Sequence, residues 1–380
     1  MKFKKLILAF FIVFITYWNQ IGYTTPEAAL KVRVLVNDNN TKLNLLVQGP
    51  FVIKLFPSGQ VVKKSAAPAK LLILPSPAGI RIGKEEWTSR GISIEPLKDR
   101  TLFLESTRFR GSLQILKDPK GLLDAVNTLD VEGYLYGVLH HEVAHWWPME
   151  ALKAQAVAAR TYALYQVAVS KAQDFDLKSG TSSQMYGGST VERFRTKKAV
   201  NETRGQILTY QGKIFPAYFH ATCAGTTAGA DELWQIKLPP LAGGVNCNYC
   251  LLSPHHDWQA KIALSEIEEK LNSVGRPVGQ ILKIEVISQT PSHRAGSLRI
   301  TGTQTESVIA AKDFRVLAGG DRIRSTNFTV TIKDDQASFV GKGWGHGVGL
   351  CQWGALGQAL TGRTYHEILN FYYPGADIRG

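Results

Sequence analysis

Three things are scarce in this 380-residue chain: acidic charge, cysteine and long apolar runs. Asp and Glu number 31 against 44 Lys and Arg, a formal net charge of +13, which points to polyanions or anionic surfaces as partners. Nucleic acid is one such polymer, but the chain carries no zinc-finger, RNA-motif or helix-turn-helix signature, and that class is set aside. The four cysteines all lie beyond residue 220, so none is available near the N-terminus for lipid attachment. The uncharged run Leu6 to Trp18 has 13 residues, short of the roughly 20 that a spanning helix needs. Behind the three lysines of Met1 to Lys5 it reads instead as the apolar region of a secretory signal, residues 1–24. Export is therefore expected, to a periplasm or cell envelope. No small-x-small cleavage site follows, so the segment is either removed or kept as an N-terminal membrane anchor. Internal repeats and low-complexity tracts are also missing.

What is present is a chain of 44% hydrophobic residues, long enough for a sizeable core and two domains. Residues 25–100 read as a β-rich N-terminal region. Lys31 to Val36, Phe51 to Leu55 and Leu71 to Leu74 are separated by the turn signals Asn37-Asp38-Asn39-Asn40, Pro57-Ser58-Gly59 and Pro75-Ser76-Pro77. No chemical constellation falls in it. Residues 101–380 then mix helical and strand patterns, giving an α+β fold with a catalytic domain expected to begin near Thr101.

The stretch Tyr134 to Tyr165 holds the densest chemistry. Pro148 fits the first helical position, so a helix is expected to start there, with Glu150 in the first turn where a negative charge meets the positive helix end. Leu152, Ala156, Ala159 and Ala163 recur at helical spacing and form a face that can approach a neighbour closely. Glu142 stands just ahead, between Val143, Trp146 and Trp147, a setting that desolvates a carboxylate and raises its pKa toward that of a general acid. The polar, Gly/Ser-rich segment 174–188 offers Gln184 and Tyr186 for sugar contacts. The glycine-rich run Gly343 to Gly349 contains Trp344 and His346, which suggests a sugar-facing loop.

The run Glu150 to Tyr162, EALKAQAVAARTY, preceded by Tyr134-Leu135, Glu142 and Trp147-Pro148, resembles the stage II sporulation protein D family of peptidoglycan lytic transglycosylases. Ser183 to Gly188, Tyr218 to Ala221, Gly341 to Ala355 and Tyr372 to Gly375 extend the likeness over roughly residues 101–375. The resemblance implies that peptidoglycan glycan strands are the substrate and that Glu142 is the acid/base. It also implies that Lys153 and Arg160 are substrate-binding, an arginine fork suiting the lactyl carboxylate left when an amidase strips the stem peptides. Some relatives stimulate an amidase without cutting glycan, so an N-acetylmuramoyl-L-alanine amidase is an expected partner and a non-catalytic binder is the second reading.

Two further patterns remain open on the sequence. His141-Glu142-Val143-Ala144-His145 satisfies the H-E-x-x-H spacing of zinc metalloproteases, which requires a continuous helix that Pro148 and the two tryptophans argue against. His220-x-x-Cys223 followed by Cys247-x-x-Cys250 has the pair spacing of a zinc site, and the same cysteines can equally form a disulfide in an exported protein. Cys351 is expected to stand outside that group.

Overall fold

The structure is a computed structural model that describes residues 30–97, 101–171, 173–180 and 183–380. The expected signal or anchor, residues 1–24, lies outside them. Strand alternation in the N-terminal third does what its pattern predicts, burying Val32 and Val34 on one side of Lys31–Asn40 and Leu43, Leu45 and Val47 along Leu43–Val47. A seven-stranded sheet runs in the order Leu177–Lys178, Lys31–Asn40, Leu123–Asp130, Ser112–Lys117, Gly91–Pro96, Phe51–Phe56 and Val61–Ser65. A six-stranded sheet joins Thr107–Phe109 and Leu102–Leu104 to Leu43–Val47, Ala69–Pro75, Ile80–Ile82 and Glu85–Trp87. Both sheets feed one apolar core that includes Ile53, Ile73, Ile94 and Leu113. Both also pair strands across residue 100, so the β-rich region runs on into the strands after Thr101 and the expected boundary there is no structural break. Residues 31–380 form one unit.

Eight α-helices occur among the described residues: α1 Val131–Glu142, α2 Met149–Val169, α3 Phe194–Glu202, α4 Ala230–Trp234, α5 Leu264–Ser273, α6 Ala311–Ala318, α7 Gln352–Leu360 and α8 Tyr365–Tyr372. With the two large sheets they make the fold α+β. Asp130 caps α1, its Oδ1 accepting from the Gly133 N–H at 2.9 Å. Pro148 serves as the N-cap of α2, one residue outside the helix. Leu152, Ala156, Ala159 and Ala163 are all fully buried, because small side chains let α1, α3, α7 and α8 close around α2.

Residues 257–342 add a lobe with its own core. Asp257–Ala263, Gln336–Lys342 and Phe328–Lys333 form one three-stranded sheet, and Ile281–Gln289, Ala295–Gly302 and Glu306–Ala310 another. Trp258, Leu298, Phe314 and Phe339 pack between them and α5 and α6. The chain then returns along residues 218–228. Trp344 and Thr222 exchange backbone hydrogen bonds at 2.9 and 3.0 Å, Ala228 N–H donates to Gly347 O at 2.8 Å, and Phe219–His220 pairs in parallel with Leu350–Cys351. This close backbone approach explains the glycines. Gly345 sits at φ +104°, and a Cβ there would lie 2.8 Å from the His220 Cβ.

Candidate active site

Glu142 is the last residue of α1, and its position follows from the helix. Tyr134, Leu135, Val138 and Leu139 anchor α1 in the core, which fixes where the next turn must end. At that end Glu142 lines an open cleft of about 700 Å³ with Met185, Phe219, His220, Arg315, Asp321, Trp344, His346 and Gln352. Its Oε1 accepts from the Met185 N–H at 3.2 Å and its Oε2 from Gln352 Nε2 at 3.4 Å. Burial lifts its pKa from 4.5 to about 7, against the opposing pull of those two hydrogen bonds. The negative end of α1 disfavours a carboxylate in the same sense. A carboxyl half-protonated near neutrality in a cleft can both give and take a proton.

The cleft walls come from distant segments. Trp344, an expected sugar contact, lies in the wall with its ring 4.4 Å from that of His255 and the Arg324 guanidinium 5.1 Å from its centroid. His346 lies there too, its Nδ1 accepting from the Val348 N–H at 3.1 Å, and burial drops its pKa to about 3. His220 is buried beside it, ring centroids 5.6 Å apart. Its Nδ1 meets Val348 O at 3.1 Å, so that nitrogen carries the proton and Nε2, which has no partner, is a bare acceptor. Burial holds the His220 pKa well below its usual range, keeping the ring neutral.

Several expected contacts are corrected by the structure. Arg160 is fully buried, forks onto Glu132 at 3.0 and 2.8 Å and donates to Gln206 O and Val200 O at 3.1 Å each; no part of it faces a substrate. Lys153 is committed to Glu202 at 2.9 Å and Glu150 at 3.2 Å, where α2 meets α3. Gln184 is buried, accepting from Tyr134 Oη at 2.9 Å and donating to Ala159 O at 3.3 Å. Tyr186 is buried as well, its hydroxyl donating to Asn127 Oδ1 at 2.8 Å. All four brace the helices behind Glu142. The metalloprotease geometry fails because α1 stops at Glu142. Val143 is extended at φ −141°, so His145 is not one helical turn beyond His141.

The cysteines also differ from expectation. Cys223, Cys247, Cys250 and Cys351 are all free and buried, and their Sγ atoms lie within 4.8 Å of one another. Cys351 is the fourth member of the cluster and His220 is not in it. The reason is topological: the parallel pairing of Phe219–His220 with Leu350–Cys351 brings the distant Cys351 beside the segment that carries Cys223, while His220 lines the cleft.

Sequence reasoning missed Gln352, Phe219, Arg315 and Asp321. Gln352 and Phe219 sit inside the family-like motifs and were findable there; Arg315 and Asp321 come from the added lobe, where no motif marks them.

Comparison with known proteins agrees with this layout. The family described as Stage II sporulation protein matches residues 120–210, and a domain of unknown function matches residues 252–349, the added lobe. An uncharacterized protein of Brachyspira hyodysenteriae is 32% identical over 350 residues, 91% of this chain and 92% of its own length. Stage II sporulation protein D of Bacillus amyloliquefaciens is 30% identical over 269 residues, 67% of this chain and 75% of its own. The amidase enhancer of Bacillus subtilis is 26% identical over 293 residues, 64% of this chain but 40% of its own length. No described helix is long and apolar enough to cross a membrane.

Proposed function

The chain belongs to the stage II sporulation protein D family, and from that premise we propose that it is an exported cell-wall enzyme that cuts peptidoglycan glycan strands without water. The observation that carries this reading is Glu142, a carboxyl with a pKa of about 7 on the wall of a cleft large enough for sugar rings. In its protonated form it gives its proton to the oxygen that bridges N-acetylmuramic acid to N-acetylglucosamine. The C1–O bond breaks and its electron pair leaves with that oxygen. The carboxylate then takes the proton of the muramic acid C6 hydroxyl, whose oxygen closes onto C1 as a 1,6-anhydro ring. Glu142 ends protonated, so one residue serves both steps. Phe219 and Trp344 offer apolar faces for the sugar rings.

Recognition of the lactyl carboxylate, expected of Arg160, passes to Arg315. Its Nε donates to Arg324 O at 3.1 Å, and among the described residues no carboxylate lies within 4.0 Å of it. Burial lowers its pKa and outweighs the opposing pull of Asp321, which makes no ion pair with it. A strand freed of stem peptides supplies a carboxylate. Asp321 shares the cleft, and as a base for water it would make the enzyme an ordinary two-carboxylate hydrolase; it is exposed and in this proposal does no chemistry.

The name of the Bacillus subtilis relative supports a second reading, a peptidoglycan binder that stimulates an amidase. Release of fragments from peptide-free strands separates the two. Glu142→Gln keeps size and hydrogen bonding but removes the proton, so release should fall on the order of a hundredfold or more. Undiminished release would remove Glu142 from the mechanism, and no release by either form, with amidase stimulation intact in both, would select the binder.

A further inference from the structure

Behind the His220 wall of the cleft, four thiols from three separate segments converge. Cys223 follows the strand Phe219–His220, Cys247 and Cys250 belong to the hairpin end at Asn246–Cys247 and its following turn, and Cys351 ends the strand Leu350–Cys351. None is more than 1% exposed. Cys223 Sγ and Cys250 Sγ are 3.6 Å apart, far beyond the roughly 2.05 Å of a disulfide. Four sulfurs placed tetrahedrally at about 2.3 Å from one ion would be separated by about 3.8 Å, close to the 3.6 Å between Cys223 and Cys250 and compatible with all four lying within 4.8 Å of one another. An iron–sulfur cluster would need room for several irons and sulfides between the same thiols.

The surroundings are arranged for sulfur carrying negative charge. Cys351 Sγ accepts from the Cys223 and Gly354 N–H groups, both at 3.3 Å, and Tyr372 Oη lies 3.0 Å from Cys247 Sγ. The fully buried Arg294 donates to Cys223 O at 3.0 Å, while its Nε and Nη1 have no hydrogen-bond partner, so a positive group stands beside the cluster without a carboxylate bound to it. Gly354 is required here, since a Cβ would come within 2.8 Å of Cys247 Sγ. Such donors around a ligand sulfur are the outer shell that orients a metal centre.

We infer that Cys223, Cys247, Cys250 and Cys351 form a closed tetrathiolate zinc centre that clamps the two chain segments forming the far wall of the Glu142 cleft. All four positions are protein sulfur, so the centre is structural and leaves no place for substrate. Its position gives it work. Cys351 directly precedes Gln352, whose amide holds Glu142 Oε2, and Cys223 lies three residues past His220. Crossing from the 220s to the 350s, the ion joins parts of the cleft that are more than a hundred residues apart in the chain.

Metal analysis of the full purified chain tests this independently of whether it cuts glycan. The expected result is about one zinc per chain, falling at least tenfold in Cys351→Ser and unchanged in His220→Ala. Because a cysteine variant can fail to fold, the wild-type chain gives a second reading. Exchange of its zinc for cobalt should produce the intense visible and thiolate charge-transfer absorption of a tetrahedral sulfur site, and chelation should lower the melting temperature until zinc is restored. Zinc retained in Cys351→Ser would overturn the ligand set. A metal-free wild-type chain that takes up no cobalt, or one whose four cysteines are recovered as disulfides, would overturn the centre altogether.

Discussion

Glu142→Gln also tests the electrostatics of the site through stability, with no substrate present. Below pH 4.5 Glu142 is protonated in both the folded and the unfolded chain, and the wild type and the variant should differ little. As pH rises from 4.5 toward 7 the unfolded carboxyl ionises while burial keeps the folded one protonated. A folded pKa raised in this way contributes stability at low pH that is lost as pH climbs, so the wild type weakens relative to the variant. At about 1.4 kcal/mol per pH unit, a lift from 4.5 to about 7 amounts to about 3 kcal/mol by pH 8. For the unit of residues 31–380 that is a relative shift of about 4 °C in melting temperature. The assay is thermal unfolding of both proteins from pH 4 to pH 8. A difference in melting temperature that is flat across this range would mean that Glu142 titrates as an exposed carboxyl does, and the general-acid argument would fail.

Arg160→Ala should unfold the protein more easily by about 3–5 kcal/mol, because it strands Glu132 without its partner inside the core. Calorimetry checks this; a stable variant with a selective loss of strand binding would restore Arg160 as a substrate contact. Arg315→Ala should leave stability within about 1 kcal/mol and erase most of the preference for peptide-free over peptide-bearing strands. Rates measured on both polymers decide it, and a preference that survives intact would exclude Arg315 from recognition.

Helix α2 and the N-terminal strands were legible in the sequence because single periodic patterns specify them. Glu142 was legible from the motif around it, although the residues that line its cleft, Met185, Phe219, Trp344 and Gln352 among them, are distant in sequence and Val143, Trp146 and Trp147 are not part of that lining. Arg160 was misread for a physical reason: an arginine on a helix looks solvated until the carboxylate that neutralises it, Glu132 on α1, is packed against it. Helix α7 was missed because Gly354 and Gly357 lower helix propensity, yet both are needed where the helix presses on Cys247 and the Tyr249 backbone. Cys351 was excluded from the thiol cluster because local spacing says nothing of a strand paired from more than a hundred residues away. Arg315 and Asp321 reach the cleft by tertiary placement of a whole lobe, which no short pattern records.

The central claim is that one carboxyl cuts the strand without water, and the chemistry of the new chain ends tests it most directly. Peptide-free glycan strands incubated with the protein and analysed by mass spectrometry should end in 1,6-anhydro-N-acetylmuramic acid, and Asp321→Asn should leave both the rate and these ends unchanged. Reducing N-acetylmuramic acid ends, carrying one added water and lost in Asp321→Asn, would show a two-carboxylate hydrolase and contradict the mechanism.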